Sequence, residues 1–276
     1  MTDRDKLRAF LECSNYDNAI KDLTNRLRLN LIYLLGGDWK QLRENYGLYT
    51  ISARPKETDR TLEKFDRMQE EGHSITAQNF YDYMPDLAGA RLLLVDPEDI
   101  FSLAEKIRGL CPSQVFEPPL DFFKKQRLRH GRLSAYTAEV VEKFENAGYD
   151  IANEDAGYCS VHFVFRIGER FFPEGCLEEH TGILNLHSMK MIPKTEWHVE
   201  IQVRTIMEEA WGETDHFVRY ANRELREDPA TISHFAALSG YLQAANHHVS
   251  LIRRLAKDYQ STKVSPEFQK KRGDSK

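Results

Sequence analysis

Apolar residues recur along this chain at two periods. Ile20, Leu23, Leu27 and Leu31 follow one another at three- and four-residue steps, which predicts a helix over 17–35 that Gly36 and Gly37 stop. Residues 49–54 read as a short strand ended by Pro55, and 58–72 as a charged helix. Leu92, Leu93, Leu94 and Val95 form a continuous apolar run within 89–96, the pattern of a strand buried on both faces. Pro97 suits the first position of the next helix and Gly109 its close. A further helix is predicted over 133–144.

Two later segments alternate at period two. In 158–167, Cys159, Val161, Phe163, Phe165 and Ile167 point one way, and Tyr158, Ser160 and His162 the other. In 198–204, Val199, Ile201 and Val203 oppose His198, Glu200, Gln202 and Arg204. If the two strands are neighbours, one face presents a ring, a hydroxyl, an imidazole, a carboxylate, an amide and a guanidinium. An ordinary solvated sheet face has the same pattern.

A helix over 205–222 follows. At 100° per residue it puts Met207, Ala210, Trp211, Thr214, Phe217, Val218 and Ala221 on one side. Glu209, Glu213, His216 and Tyr220 take the other, so His216 faces solvent or a site. The last helix, over 229–259, carries Ile232, Phe235, Leu238, Leu242, Val249 and Ile252, which pack on the core or build a homo-oligomer. Strands and helices mixed without regular alternation give an α+β fold.

Composition narrows the function. The 276 residues carry 38 Lys and Arg against 43 Asp and Glu, a formal net charge of −5. Such a balance excludes a general nucleic-acid coat, so an anionic ligand needs a local cation cluster. Two clusters exist. Arg54, Lys56, Arg60 and Lys64 fall within eleven residues, and segment 124–132 (KKQRLRHGR) contributes Lys124, Lys125, Arg127, Arg129 and Arg132. The first is a polyphosphate grip or a solvated helix start, and the second a phosphate or RNA grip or a solvated helix or loop. Asp86, before Gly89 at the start of the buried strand, is a metal ligand or a turn residue. No Walker A sequence occurs. Cys13, Cys111, Cys159 and Cys176 form no C-x-x-C pair and read as free thiols. No leader or membrane span is visible in the sequence, so the expected location is cytoplasmic.

Four blocks, taken in order, resemble one family. They are Ser52-Ala53-Arg54-Pro55-Lys56 with Lys64 downstream; Asp86-Leu87-Ala88-Gly89-Ala90-Arg91; Gly157-Tyr158-Cys159-Ser160-Val161-His162; and Glu200-Ile201-Gln202-Val203-Arg204-Thr205, trailed by Trp211, His216 and Tyr220. This is similar to the RelA/SpoT synthetase domain, and in particular to the small alarmone ((p)ppGpp) synthetases. The resemblance implies a nucleotidyltransferase-like mixed sheet flanked by helices, with an N-terminal helix and a long C-terminal helix. The corresponding division is an N-terminal helical segment 1–48, a core 49–223, and a C-terminal helix and polar tail 224–276.

The resemblance also implies an activity, the Mg²⁺-dependent transfer of the β,γ-pyrophosphate of ATP to a ribose 3′-hydroxyl of GDP or GTP. By position, Arg54 and Arg91 would sandwich adenine, and Lys56 and Lys64 would meet the ATP phosphates. Asp86 and Glu200 would be the catalytic carboxylates and hold the metal. Tyr158 would stack on the acceptor base, with Ser160, His162, Gln202, Arg204 and His216 lining the acceptor side. Cys159 stands where the family usually has Arg, and acidic residues occupy 154–155, so loss of an acceptor phosphate contact is expected there. Two further readings stay open. One is a toxin-like relative that modifies tRNA 3′ ends, gripped through 124–132, or adenosine nucleotides. The other is a catalytically silent binding module, against which the presence of both Asp86 and Glu200 argues.

Overall fold

The structure, a computed structural model, describes residues 1–110, 127–131, 138–154, 158–166, 198–220 and 222–264. Its strands are β1 (Leu48–Pro55), β2 (Ala88–Leu94), β3 (Arg127–Gly131), β4 (Asp150–Glu154), β5 (Cys159–Arg166) and β6 (His198–Thr205). They form a six-stranded mixed sheet in the order β1-β2-β6-β5-β3-β4. The β2–β6 and β3–β4 pairs are parallel and the others antiparallel.

The two predicted alternations meet in register. Ala53, Ala90, Ile201 and Phe163 are partners in one row across β1, β2, β6 and β5. Ile51, Leu92, Val203 and Val161 form another. Apart from Ala53, which is partly buried, these side chains are buried in one hydrophobic cluster with the N-terminal helices α1 (Asp3–Leu11), α2 (Ser14–Leu34) and α3 (Trp39–Tyr46). Ser52, Arg91, Gln202 and His162 make the intervening row, which pleating turns to the opposite face.

The remaining helices are α4 (Thr58–Glu70), α5 (Phe80–Tyr83), α6 (Ile100–Leu110), α7 (Ala138–Asn146), α8 (Ile206–Asp215), α9 (Arg223–Glu227) and α10 (Pro229–Val264). Among the described residues, no helix is long and apolar enough to cross a membrane.

Several expectations change. Pro97 opens a short 3₁₀ turn, Pro97–Asp99, and α6 runs through Gly109 to Leu110. The middle of the basic segment is a strand: β3 lies between β5 and β4, and the rest of 124–132 falls outside the described residues. The helix predicted over 205–222 ends as α8 and continues as a π-helical turn, His216–Tyr220. The extra residue of the π turn shifts the face only past Asp215, whereas within α8 the predicted face already fails at Ala210 and Thr214. Trp211 is buried, whereas Ala210 and Thr214 are exposed and Phe217 is 81% exposed.

The predicted apolar stripe of α10 is covered in part: Phe235 is buried and Leu238, Leu242 and Val249 are half-buried, but Ile232 and Ile252 are 48% and 65% exposed. Polar contacts hold the helix as well. Asn246 donates to Thr205 Oγ1 at 3.2 Å, Ser250 donates to Asp96 at 2.6 Å, and Arg253 donates to Asp96 at 3.1 Å and also contacts Asp99. Asp96 is 2% exposed, and burial raises the pKa of its neighbour Asp99 despite the Arg253 charge.

Arg253→Ala leaves Asp96 and Asp99 side by side without their shared cation. Stability in urea is expected to fall by about 3 kcal/mol, the usual cost of removing one partner of a recessed ion pair. An unchanged unfolding midpoint would show that α10 is anchored elsewhere.

Candidate active site

The polar row of the sheet forms one wall of a cavity of about 970 Å³, and α4 and α8 supply the others. Local sequence places each group. Arg54 and Lys56 stand at the end of β1, where the Lys56 amide donates to the Leu87 carbonyl at 2.8 Å and ties the β1 exit to the β2 entrance. Asp86 lies just before β2. It is ion-paired to Lys56 and to Lys64 of α4, the latter at 2.8 Å. Burial works to raise the Asp86 carboxyl, but the charges of Lys64 and Lys56 outweigh it and lower its pKa to about 2.

On the sheet, Tyr158 Oη lies 3.1 Å from His162 Nε2, and His162 Nδ1 lies 2.9 Å from Glu200 Oε1. Gln202 Nε2 donates to Glu200 Oε2 at 2.6 Å, and Arg204 donates to Gln202 Oε1. Glu200 is thus gripped on both oxygens. Burial opposes its charge, but His162 and Gln202 hold its pKa below the usual value. The Arg204 guanidinium sits 5.9 Å from the Tyr158 ring centroid, and Trp211 meets the same ring edge-on at 6.1 Å. A Cβ on Gly212 would approach Arg204 Nη1 to 2.6 Å, so a side chain at this position of α8 would make the Arg204 guanidinium shift.

α8 starts at a capping box: the Thr205 amide donates to Glu208 Oε2 at 2.6 Å, and the Glu208 amide to Thr205 Oγ1 at 3.2 Å. The cap fixes the helix to the end of β6 and directs Glu209, Glu213 and His216 along the cavity. Glu209 pairs with Arg91 at 2.7 Å and with Arg204 Nε at 2.9 Å, and Glu213 pairs with Arg91. Glu213 Oε1 also lies 3.9 Å from Arg54. Burial, then the charge of Arg60, lowers the pKa of His216.

The cavity lining includes Arg54, Lys56, Lys64, Asp86, Arg91, Tyr158, His162, Glu200, Gln202, Arg204 and His216. Ser160 is not in it. Ser160 is fully buried, with its hydroxyl 3.5 Å from the Val203 carbonyl. Cys159 lies in the hydrophobic cluster, on the opposite side of β5 from the site. An Arg in its place would start from the core face, so the expected loss of a ligand contact at this position is not supported. The Lys124, Lys125 and Arg132 side chains, and the Tyr220 ring, lie outside the description.

The lining also contains groups that the sequence did not single out. Arg67 continues the Arg60–Lys64 stripe of α4 at helical spacing, a signal that was readable. Glu209 and Glu213 shared the predicted face of His216, a pattern that ordinary solvated helices also show.

No protein-family model matches the chain, and neither does any curated protein. Solved structures do. The small alarmone synthetase 1 from Bacillus subtilis superposes with a TM-score of 0.56 at 16% identity, covering 92% of this chain and 99% of that one. A GTP pyrophosphokinase family protein from Streptococcus pneumoniae gives 0.54 at 16%, covering 92% and 96%. The fold is that of the small alarmone synthetases. The Bacillus protein has also been solved bound to its product pppGpp, with a TM-score of 0.55 at 16% identity over 90% of this chain and 97% of that one. Its structure bound to AMPCPP gives 0.51 at 16%, covering 90% and 96%.

Asp86 supplies a pH test of the cavity. Its folded pKa of about 2 lies below the 3.8 of a free carboxyl. Its pairing therefore stabilises the fold fully above about pH 4 and ceases to do so as pH falls towards 2, a contribution of about 2 kcal/mol. Asp86→Asn is expected to flatten that limb of the stability profile in acid denaturation. An unaltered limb would mean that the lysine pairs do not hold in solution.

Proposed function

We propose that the protein is an ATP-dependent pyrophosphotransferase that moves the β,γ-pyrophosphate of ATP to the ribose 3′-hydroxyl of GDP or GTP. The observation that carries this reading is the single cavity with its two unlike halves. One half has Arg54, Lys56, Arg60, Lys64 and Arg91 with Asp86, and the other has Tyr158, His162, Gln202 and Arg204 with Glu200. It occurs in the fold of proteins that bind AMPCPP and pppGpp.

The roles follow from the chemistry. Arg54 and Arg91, diagonal neighbours on β1 and β2, present planar cations that stack on the donor base. Lys56, Lys64 and Arg60 neutralise the donor phosphates, which is most of what such a transfer asks of a protein. Tyr158 stacks on the acceptor base and so positions the ribose. Glu200 takes the proton of the 3′-hydroxyl as that oxygen attacks the β-phosphorus; the bond from the β-phosphorus to the bridging oxygen breaks, and AMP leaves with the electron pair.

The carboxylates suit Mg²⁺. Asp86 and Glu200 line one cavity, and the charge of Asp86 acts on Glu200. A hard ion that takes one or two carboxylates and completes its shell with phosphate oxygens and water matches that donor set. Bound to Asp86 and Glu200, Mg²⁺ would neutralise phosphate charge. Lys56 and Lys64, which pair with Asp86 in this structure, would then turn to the phosphates.

ATP labelled in its β- and γ-phosphates, with Mg²⁺, should pass label to GDP or GTP offered singly. Label on ADP or tRNA alone would overturn the acceptor assignment, and transfer to none of the four would sink the whole reading. Glu200→Gln is expected to slow transfer about 10³-fold while ATP still binds, as for loss of a general base. Wild-type turnover in that variant would remove Glu200 from its role. Tyr158→Ala should raise the acceptor KM roughly tenfold or more, the scale of base–aromatic stacking, and leave the KM for ATP within about twofold. Equal weakening of both substrates would count against stacking.

A further inference from the structure

Glu213 is placed unlike any other acid in the cavity. Its neighbour one turn back, Glu209, is recessed (19% exposed) and held between Arg91 and Arg204. Glu213 is 46% exposed and makes both its arginine contacts, to Arg91 and to Arg54, through the same oxygen, Oε1. Among the described residues, Oε2 accepts no hydrogen bond. Burial, then the Arg91 charge, lowers the pKa of Arg54, and the Glu213 charge works against both. A flat ring entering between Arg54 and Arg91 therefore meets at its edge a carboxylate already oriented by both of them, with one oxygen to spare. A carboxylate accepts hydrogen bonds and donates none.

We propose that Glu213 is a specificity residue for the donor nucleotide, accepting a hydrogen bond from the 6-amino group of its purine. The inference rests on the reading of Arg54 and Arg91 as the donor-base clamp and adds to it the choice of base. The arginines stack on any flat ring, so they hold the base without choosing it. Glu213 rewards an exocyclic amino group at the edge and leaves a purine without one unpartnered.

The test compares ATP with purine riboside triphosphate, which lacks only the 6-amino group and carries the same charge. Binding is measured by calorimetry without acceptor, so chemistry plays no part. Because the ligands are equally charged, a general change in cavity potential cancels from the ratio of their dissociation constants. The wild-type protein is expected to prefer ATP by roughly tenfold or more, the size of a hydrogen bond to a charged acceptor. Glu213→Ala should bring the ratio close to one. Glu213→Gln, which keeps the shape and an accepting oxygen, should give an intermediate ratio. A wild-type ratio near one, or an undiminished ratio in the alanine variant, overturns the role of Glu213 and leaves the clamp standing. Binding of neither nucleotide overturns the clamp itself, and this inference with it.

Discussion

The cavity depends on the parallel pairing of β2 with β6. That ladder sets Gly89 beside Glu200 and Arg91 beside Gln202, and so joins a strand that carries a cation to one that carries the candidate base. The partners come from opposite ends of the core, and no local interaction brings them together. The apolar rows fix the register: Ala90 with Ile201 and Leu92 with Val203 bury only in this alignment. A one-residue slip would turn Glu200 and Gln202 into the hydrophobic cluster and Ile201 into the cavity.

Charge in the cavity is arranged by pairing. A chain of net charge −5 holds a cation-rich wall because its carboxylates sit among the cations. Asp86 neutralises Lys56 and Lys64, while Glu209 and Glu213 neutralise Arg91 and reach Arg204 and Arg54. Unneutralised, four or five recessed cations would repel one another strongly at an effective interior dielectric. Paired, they stay in place until an anion of higher charge density competes for them. Net charge therefore says little about such a pocket; the ion pairs within it say more.

What the sequence made legible follows the same physics. β5 and β6 were readable because each buries one face, so alternation had to appear in Val161, Phe163, Ile201 and Val203. Helix α2 was readable for the same reason, in the buried stripe Ile20, Leu23, Leu27 and Leu31. β3 and β4 were not: five residues each, RLRHG and DIANE, they lie at the far end of the sheet and show no apolar alternation. In the candidate site, motif residues could be placed by position, but Ser160 could not. Its side belongs to the polar face by period, yet its short side chain is fully buried, with the hydroxyl 3.5 Å from the Val203 carbonyl. Glu209 and Glu213 escaped because their partners, Arg54, Arg91 and Arg204, are more than a hundred residues away or on a neighbouring strand. A helix wheel cannot tell solvent from a facing arginine.

The C-terminal helix takes part in the cavity without lining it. The direction of α8 sets where Glu209, Glu213 and His216 point, and three contacts fix that direction. The first is the Thr205–Glu208 capping box at its origin. The second is Asn246 of α10, which donates to the same Thr205 hydroxyl. The third is Trp211, whose indole donates to the Phe235 carbonyl at 3.4 Å and whose ring meets both Phe235 and Tyr158. Trp211 thus stands between the helix that covers it and the aromatic side chain that faces the ligand. A displacement of α10 would carry Trp211 with it, and through it both Tyr158 and the acidic row opposite the arginines. The polar anchoring of α10 on Asp96 and Asp99 is for that reason a condition of the cavity's shape as well as of the fold's stability.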